Sequence, residues 1–159
     1  MARIGVTGHR DLSPETVGLV EAEIAARLRR DGDGDLTGIS CLAAGADQLF
    51  ARLVLEAGCA LDVVVPSRDY RERMDEAARR EFDRLVGRAS RITQLPFPES
   101  RPEAHMAASL VVVERSDVLL AVWDGRPARS FAGTADVVAY ARQEGVPVEV
   151  VWPAGALRL

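Results

Sequence analysis

Three short, almost unbroken apolar runs, LDVVV (61–65), VLLAVW (118–123) and VPVEVV (146–151), most constrain what this chain can fold into. Runs of that length, rich in β-branched residues, read as strands buried on both faces, and such burial belongs to parallel sheets covered by helices. Two further runs, RIGV (3–6) and GISCL (38–42), complete a set of five.

The segments between them carry helical spacing. Ser13-Pro14 supplies an N-cap and a first-turn proline, and Val17, Val20, Ile24 and Leu28 follow at helical intervals, which predicts a helix over 14–30. DGDGD (31–35) is the clearest breaker and reads as the returning loop; it lacks the downstream bidentate glutamate of an EF-hand. Leu49, Phe50, Leu53, Val54 and Ala57 mark a second helix stopped by Gly58. Asp69 and Glu72 have capping-box spacing ahead of a Met74, Ala78, Phe82, Leu85 stripe, predicting a third helix from about 69. LPFPESRPE then breaks the pattern with three prolines, and helices over 103–115 and 134–144 follow. Strands alternating with helices give an α/β fold: a Rossmann-like, doubly wound sheet of about five mainly parallel strands with helices on both faces.

At 159 residues the chain has the length of one domain, and 1–159 is expected to form it. No apolar stretch is long enough to span a bilayer and no leader pattern opens the sequence, so a cytoplasmic protein is expected, with no membrane partner. The net charge of −4 removes the general attraction that drives nonspecific nucleic-acid affinity, which makes nucleic acid an unlikely partner. Cys41 and Cys59 lack metal-ligand spacing and sit in apolar surroundings, as buried free thiols do; no metal and no cofactor is expected.

Ligands of open α/β sheets bind beyond the carboxyl ends of the strands, so function is sought in the loops there. TGHR after the first strand sets Thr7 and a turn glycine, Gly8, before His9 and Arg10, whose donors suit an anion; the plain alternative is a solvated turn. AAGADQ brings Gly45 to a helix N-terminus that favours phosphate, with Asp47 serving either as N-cap or as ligand contact. WDGRPARSFAGTAD begins with Asp124, Gly125 and Arg126 and ends with Gly133 and Thr134 opening a helix, a candidate phosphate cradle. Arg126 and Arg129 are either ligand clamps or exposed charges. None of these loops is a P-loop or a Gly-x-Gly-x-x-Gly fingerprint. Tyr70 and Trp123 offer aromatic faces near strand ends, with core packing as the alternative for Trp123, and His105 reads as a surface or capping residue.

Together these segments resemble the SLOG superfamily, the Rossmann-like group that unites the DNA-processing protein A fold with the Lonely Guy phosphoribohydrolases. ISCLAAGADQLFARLVLEAG (39–58) is similar to the Ser-Gly-Leu-Ala-x-Gly-Ile-Asp segment of the former. GTADVVAYARQEGVPVEVV (133–151) is similar to the Gly-Thr helix and last strand of the Lonely Guy proteins and of nucleoside deoxyribosyltransferases. VTGHR is similar to the first loop of small members. The resemblance implies a nucleotide or nucleoside-phosphate pocket at the strand ends, often in a homodimer. Enzymes among these relatives cleave N-glycosidic bonds with a glutamate three residues after the threonine of the Gly-Thr pair. That position is Val137 here, and the nearest carboxylate, Asp136, is rotated about a quarter turn away.

Two functions follow as expectations. The first is a sensor or binding module for a nucleotide or nucleotide-derived molecule at the carboxyl edge of the sheet. The second is an N-glycosidic hydrolase or transferase on nucleoside monophosphates, with Asp136 as its catalytic carboxylate.

Overall fold

The computed structural model describes residues 2–30 and 35–159; most of the DGDGD loop, residues 31–34, lies outside them. Among the described residues six strands form one parallel sheet: β1 (Ala2–Gly8), β2 (Leu36–Ser40), β3 (Ala60–Ser67), β4 (Arg91–Phe97), β5 (Val118–Val122) and β6 (Val148–Val150), in the order β4-β3-β2-β1-β5-β6. The helices are α1 (Pro14–Arg30), α2 (Ala46–Glu56), α3 (Glu76–Val86), α4 (Pro102–Arg115) and α5 (Thr134–Gln143). This is the expected α/β, doubly wound, Rossmann-like architecture.

The chain steps from β1 to β4 in one direction and then crosses back to β5. With right-handed crossovers, that reversal puts α1, α2 and α3 on one face and α4 and α5 on the other. The core divides accordingly. Val20, Ile24 and Leu28 of α1 and Phe50 and Val54 of α2 pack on Ile4, Val6 and Leu120, while Ala108 and Val112 of α4 and Val137 and Ala141 of α5 pack on Ile39, Val64 and Leu119. Both cysteines are free and buried. Among the described residues no helix is long and apolar enough to cross a membrane.

Three local readings are corrected. The run over 146–151 is not buried on both faces: β6 lies at the sheet edge, with Val148 and Glu149 half-buried and Val150 exposed. The sheet gains a sixth strand, β4, inside the proline-broken segment: it is an edge strand with mostly exposed side chains, where Pro96 forfeits nothing essential to the ladder. The third helix starts at Glu76, because Asp75 accepts the Ala78 N–H (2.9 Å) as N-cap. Asp69 is drawn elsewhere: its carboxylate takes the Ser67 hydroxyl (2.9 Å) and the Ser100 N–H (2.7 Å), fastening the loop after β3 to the loop before α4.

Candidate functional site

Strand order reverses between β1 and β5, so the ligand crevice of such a sheet lies between the loops that follow them. A cleft of about 380 Å³ occupies that place. Thr7, Gly8, His9, Arg10 and Asp11 line it from the first loop, Cys41, Ala43 and Asp47 from the β2–α2 region, and Tyr70 from the loop after β3. Ser100, Arg101 and His105 contribute from the start of α4, residues 130–134 from the approach to α5, and Arg158 from the last segment.

His9, 3% exposed, is the hub of one end. Its N–H donates to the Val122 carbonyl and its carbonyl accepts the Ala46 N–H, each at 3.1 Å, so β1, β5 and α2 are joined through this residue. The Asp124 N–H donates to Nε2 (3.1 Å), which assigns the ring proton to Nδ1, facing the Thr134 hydroxyl at 3.5 Å. Trp152 packs edge-on at 5.6 Å. Burial foremost, with Arg158 nearby, holds the imidazole below its ordinary value against the pull of Asp124.

Two glycines make this meeting possible. A Cβ on Gly8 would lie 2.5 Å from the Ala46 Cβ and 2.8 Å from the Val122 Cβ. Gly45 has φ 85° and would drive a Cβ to 2.4 Å from the Arg10 carbonyl. Gly45 itself does not line the cleft, and the N–H of Ala46 behind it is already taken by His9. The N-terminus of α5 is arranged differently: Gly133 caps it without a side-chain bond, and Gly133 and Thr134 both face the cleft.

Other candidates lie off the cleft wall. Asp124 sits behind His9, with Oδ1 3.3 Å from Nε2, and accepts the Arg126 N–H (3.0 Å). Burial works to raise its carboxyl, but that N–H, His9 and Arg158 more than offset it and hold the value low. Gly125 makes its turn in open space, Arg126 is exposed, and the Arg126 carbonyl accepts the Trp123 indole N–H (2.8 Å). Arg129 donates to the Leu159 carbonyl (3.0 Å). Asp136 accepts the Ala132 N–H (3.0 Å), bracing a residue at φ 69°.

The other end of the cleft is built around Asp47, 9% exposed. Ser40 Oγ takes the Leu42 N–H and donates to the Asp47 carbonyl, each at 3.0 Å, winding a tight loop in which buried Leu42 sits at φ 58°. The Asp47 carboxyl is not an N-cap; it accepts the Ala43 N–H at 3.4 Å. Burial raises it to about 7, against the opposing influence of Arg10 and that N–H. Arg10 donates to His105 Nδ1 (3.0 Å), and the Tyr70 ring stands edge-on to His105 at 5.9 Å. A second cavity of about 370 Å³ adjoins, sharing Arg10, Tyr70, Ser100 and His105 as its wall. Sequence reasoning missed Arg101, Phe131 and Arg158. Phe131 is 59% exposed at the rim, and Arg158 arrives through a bridge between Leu12 and Arg158 that no local pattern announces.

No family model matches the chain, and no curated protein matches it. Solved structures do. DNA processing protein A from Streptococcus pneumoniae superposes with a TM-score of 0.68 at 16% identity, over 94% of this chain and 50% of that one. The Helicobacter pylori protein of that name, described for its single-stranded DNA binding mode, gives 0.65 at 16% identity, over 94% and 64%. The molybdenum cofactor carrier protein of Chlamydomonas reinhardtii gives 0.60 at 19% identity, over 94% and 76%. The chain has the SLOG fold. It spans about half the length of the Streptococcus pneumoniae SLOG-fold protein. One expectation is corrected here: nucleic acid as an unlikely partner does not stand, because a protein of the same fold, the one from Helicobacter pylori, is described for its single-stranded DNA binding mode. Net charge was the wrong measure, since affinity follows local charge, and Arg10, Arg101 and Arg158 all line the cleft of this acidic chain.

Proposed function

We propose that the protein is a binding module for a nucleotide or nucleotide-derived small molecule, held in the cleft at the carboxyl edge of the sheet. The observation that carries this reading is the convergence of the loops after β1, β2, β3 and β5 on one cleft at the switch point, with three arginines and two aromatic rings on its wall. Arginines and the uncapped start of α5 suit a phosphate; Tyr70 and Phe131 suit a base. The volume, about 380 Å³, is in the range of small-ligand sites. The names of the SLOG-fold structures support a ligand of this general kind, one a carrier of a molybdenum cofactor and one a binder of single-stranded DNA. Asp136 braces the Ala132 backbone and leaves the cleft wall without the carboxylate that N-glycosidic turnover would draw on at that position, so binding is preferred to hydrolysis.

Isothermal titration against nucleoside mono-, di- and triphosphates, cyclic nucleotides and ADP-ribose tests the reading. A dissociation constant of about micromolar order for at least one is expected. No heat at millimolar ligand overturns it, and a tight gel-shift with single-stranded DNA in the absence of nucleotide binding replaces it with a nucleic-acid function.

A further inference from the structure

We infer that Asp47 and His105 form the end of the cleft that reads the nucleoside half of the ligand, Asp47 accepting hydrogen bonds from its sugar hydroxyls or exocyclic amino group. The inference rests on the nucleotide reading above and adds the part of the site that tells one phosphate-bearing ligand from another.

A carboxylate has room for about four hydrogen bonds. Among the described residues the Asp47 carboxyl accepts one, and that one is long at 3.4 Å. A buried carboxylate short of donors is costly, yet this one is kept on the cleft wall rather than paired within the core. His105 is its complement. Arg10 donates to Nδ1, which leaves the proton on Nε2, and Nε2 is buried with no partner among the described residues. One acceptor and one donor on the same wall match a hydroxyl, which both donates and accepts. A phosphate only accepts, so Asp47 repels it and directs it to the end where Thr134, the start of α5 and Arg158 stand.

The groups that face Asp47 leave it as the one that titrates near neutrality. Burial pushes the Cys41 thiol from the β2–α2 loop and the Tyr70 phenol from the loop after β3 up, so both are neutral there. Burial, with Arg10 on the first loop, holds His105 on α4 down, so it is neutral as well. Burial raises Asp47 itself to about 7. Ligand donors stabilise the charged carboxylate, so binding near neutrality releases a proton.

The test uses the full chain with adenosine monophosphate, inosine monophosphate, 2′-deoxyadenosine monophosphate and inorganic phosphate as probes. Titration in two buffers of different ionisation enthalpy reads proton release directly. Adenosine monophosphate is expected to bind about tenfold or more tightly at about pH 8 than at about pH 5.5, with proton release that Asp47→Asn abolishes. Phosphate, which shares the ligand's own phosphate ionisation, should bind no more weakly in Asp47→Asn, because the carboxylate gives it no hydrogen bond to lose. A selective loss with the deoxy ligand assigns the donor to the sugar, and a loss with inosine monophosphate assigns it to the base amino group. Equal affinity for all three nucleotides, or proton release unchanged in Asp47→Asn, overturns the inference while the nucleotide reading survives. Failure of every nucleotide and of phosphate to bind overturns both.

Discussion

The two ends of the cleft solve the same burial problem in opposite ways. At the His9 end, both ring nitrogens of a buried imidazole face partners, Asp124 N–H on one side and the Thr134 hydroxyl on the other, and the backbone on either side is clamped to β5 and α2. At the Asp47 end, a buried carboxyl receives one long bond and a buried imidazole N–H receives none. The first arrangement holds loops in register. The second carries unmet hydrogen-bonding capacity, which a folded chain retains at a cost and a ligand can satisfy. The acid responses run opposite as well. His9 is held below its unfolded value, so the stability it contributes is full above about pH 6.5 and is lost as pH falls. Asp47 is held above its unfolded value, so its ionisation opposes folding: the penalty is absent below about pH 4, grows toward 7 and is full above it.

Asp47→Asn should therefore have the largest effect, and in the unusual direction. Asparagine mimics the protonated carboxyl in size, so it removes the ionisation penalty and leaves the packing in place. A carboxyl raised from its ordinary value to about 7 gives a stabilisation on the order of 4 kcal/mol at about pH 8, falling to near zero at about pH 4. Urea denaturation at several pH values measures this. A variant no more stable than the parent at high pH would mean that the carboxylate is already well satisfied, and the contrast between the two ends would disappear.

Gly45 is where the ends are joined, since its missing side chain lets α2 reach the Arg10 backbone. Gly45→Ala combines a left-handed backbone with a Cβ driven into a carbonyl, and a loss of about 3 kcal/mol is expected. Gly58→Ala is the control: a φ of 75° with nothing within 4 Å should cost only about 1 kcal/mol. Equal losses in the two would show that backbone conformation alone matters at Gly45.

Much of this architecture was legible because it is local. The α1 boundaries follow from Ser13-Pro14 and the four-residue spacing, and the Thr16 N–H does bond the Ser13 hydroxyl (3.2 Å). β3 and β5 announced themselves as apolar runs, and so did β6, although it is an edge strand and not buried on both faces. β4 did not, because its mostly exposed side chains leave RITQLPF without an unbroken apolar run. Asp69 was misread because a capping-box spacing says nothing about Ser100, thirty-one residues on, which takes its carboxylate instead. The site divides likewise. Thr7, Gly8, His9, Arg10, Gly133 and Thr134 lie on the cleft because strand ends at a switch point must converge there. Arg158, Arg101 and the pairing of Arg10 with His105 depend on contacts across most of the chain, and no window of sequence holds them.

His9→Ala probes the satisfied end. It strands the Asp124 N–H, removes the partner of Thr134 and opens a gap against Trp152, so a loss of about 2 kcal/mol is expected. The decline in stability between about pH 6.5 and lower values that His9 imposes should vanish with it. A variant that keeps this acid response would assign it to another group and remove the opposition between the two ends.

Arg10→Ala should disturb the fold least, within about 0.5 kcal/mol, because the side chain is exposed and its partner is a neutral ring. Its consequences belong to the ligand. The guanidinium is the cation that opposes the upward shift of Asp47, so removing it should carry that carboxyl above its present value of about 7 and move the pH midpoint of binding upward. It also removes a donor on the cleft wall, so nucleotide affinity should fall about tenfold. If affinity falls while the midpoint stays, Arg10 belongs with the phosphate alone. If the midpoint rises while affinity at high pH holds, Arg10 serves Asp47 and the phosphate rests on Arg158 and α5. Only a simultaneous change places Arg10 between the two ends, where its bond to His105 and its field at Asp47 already put it.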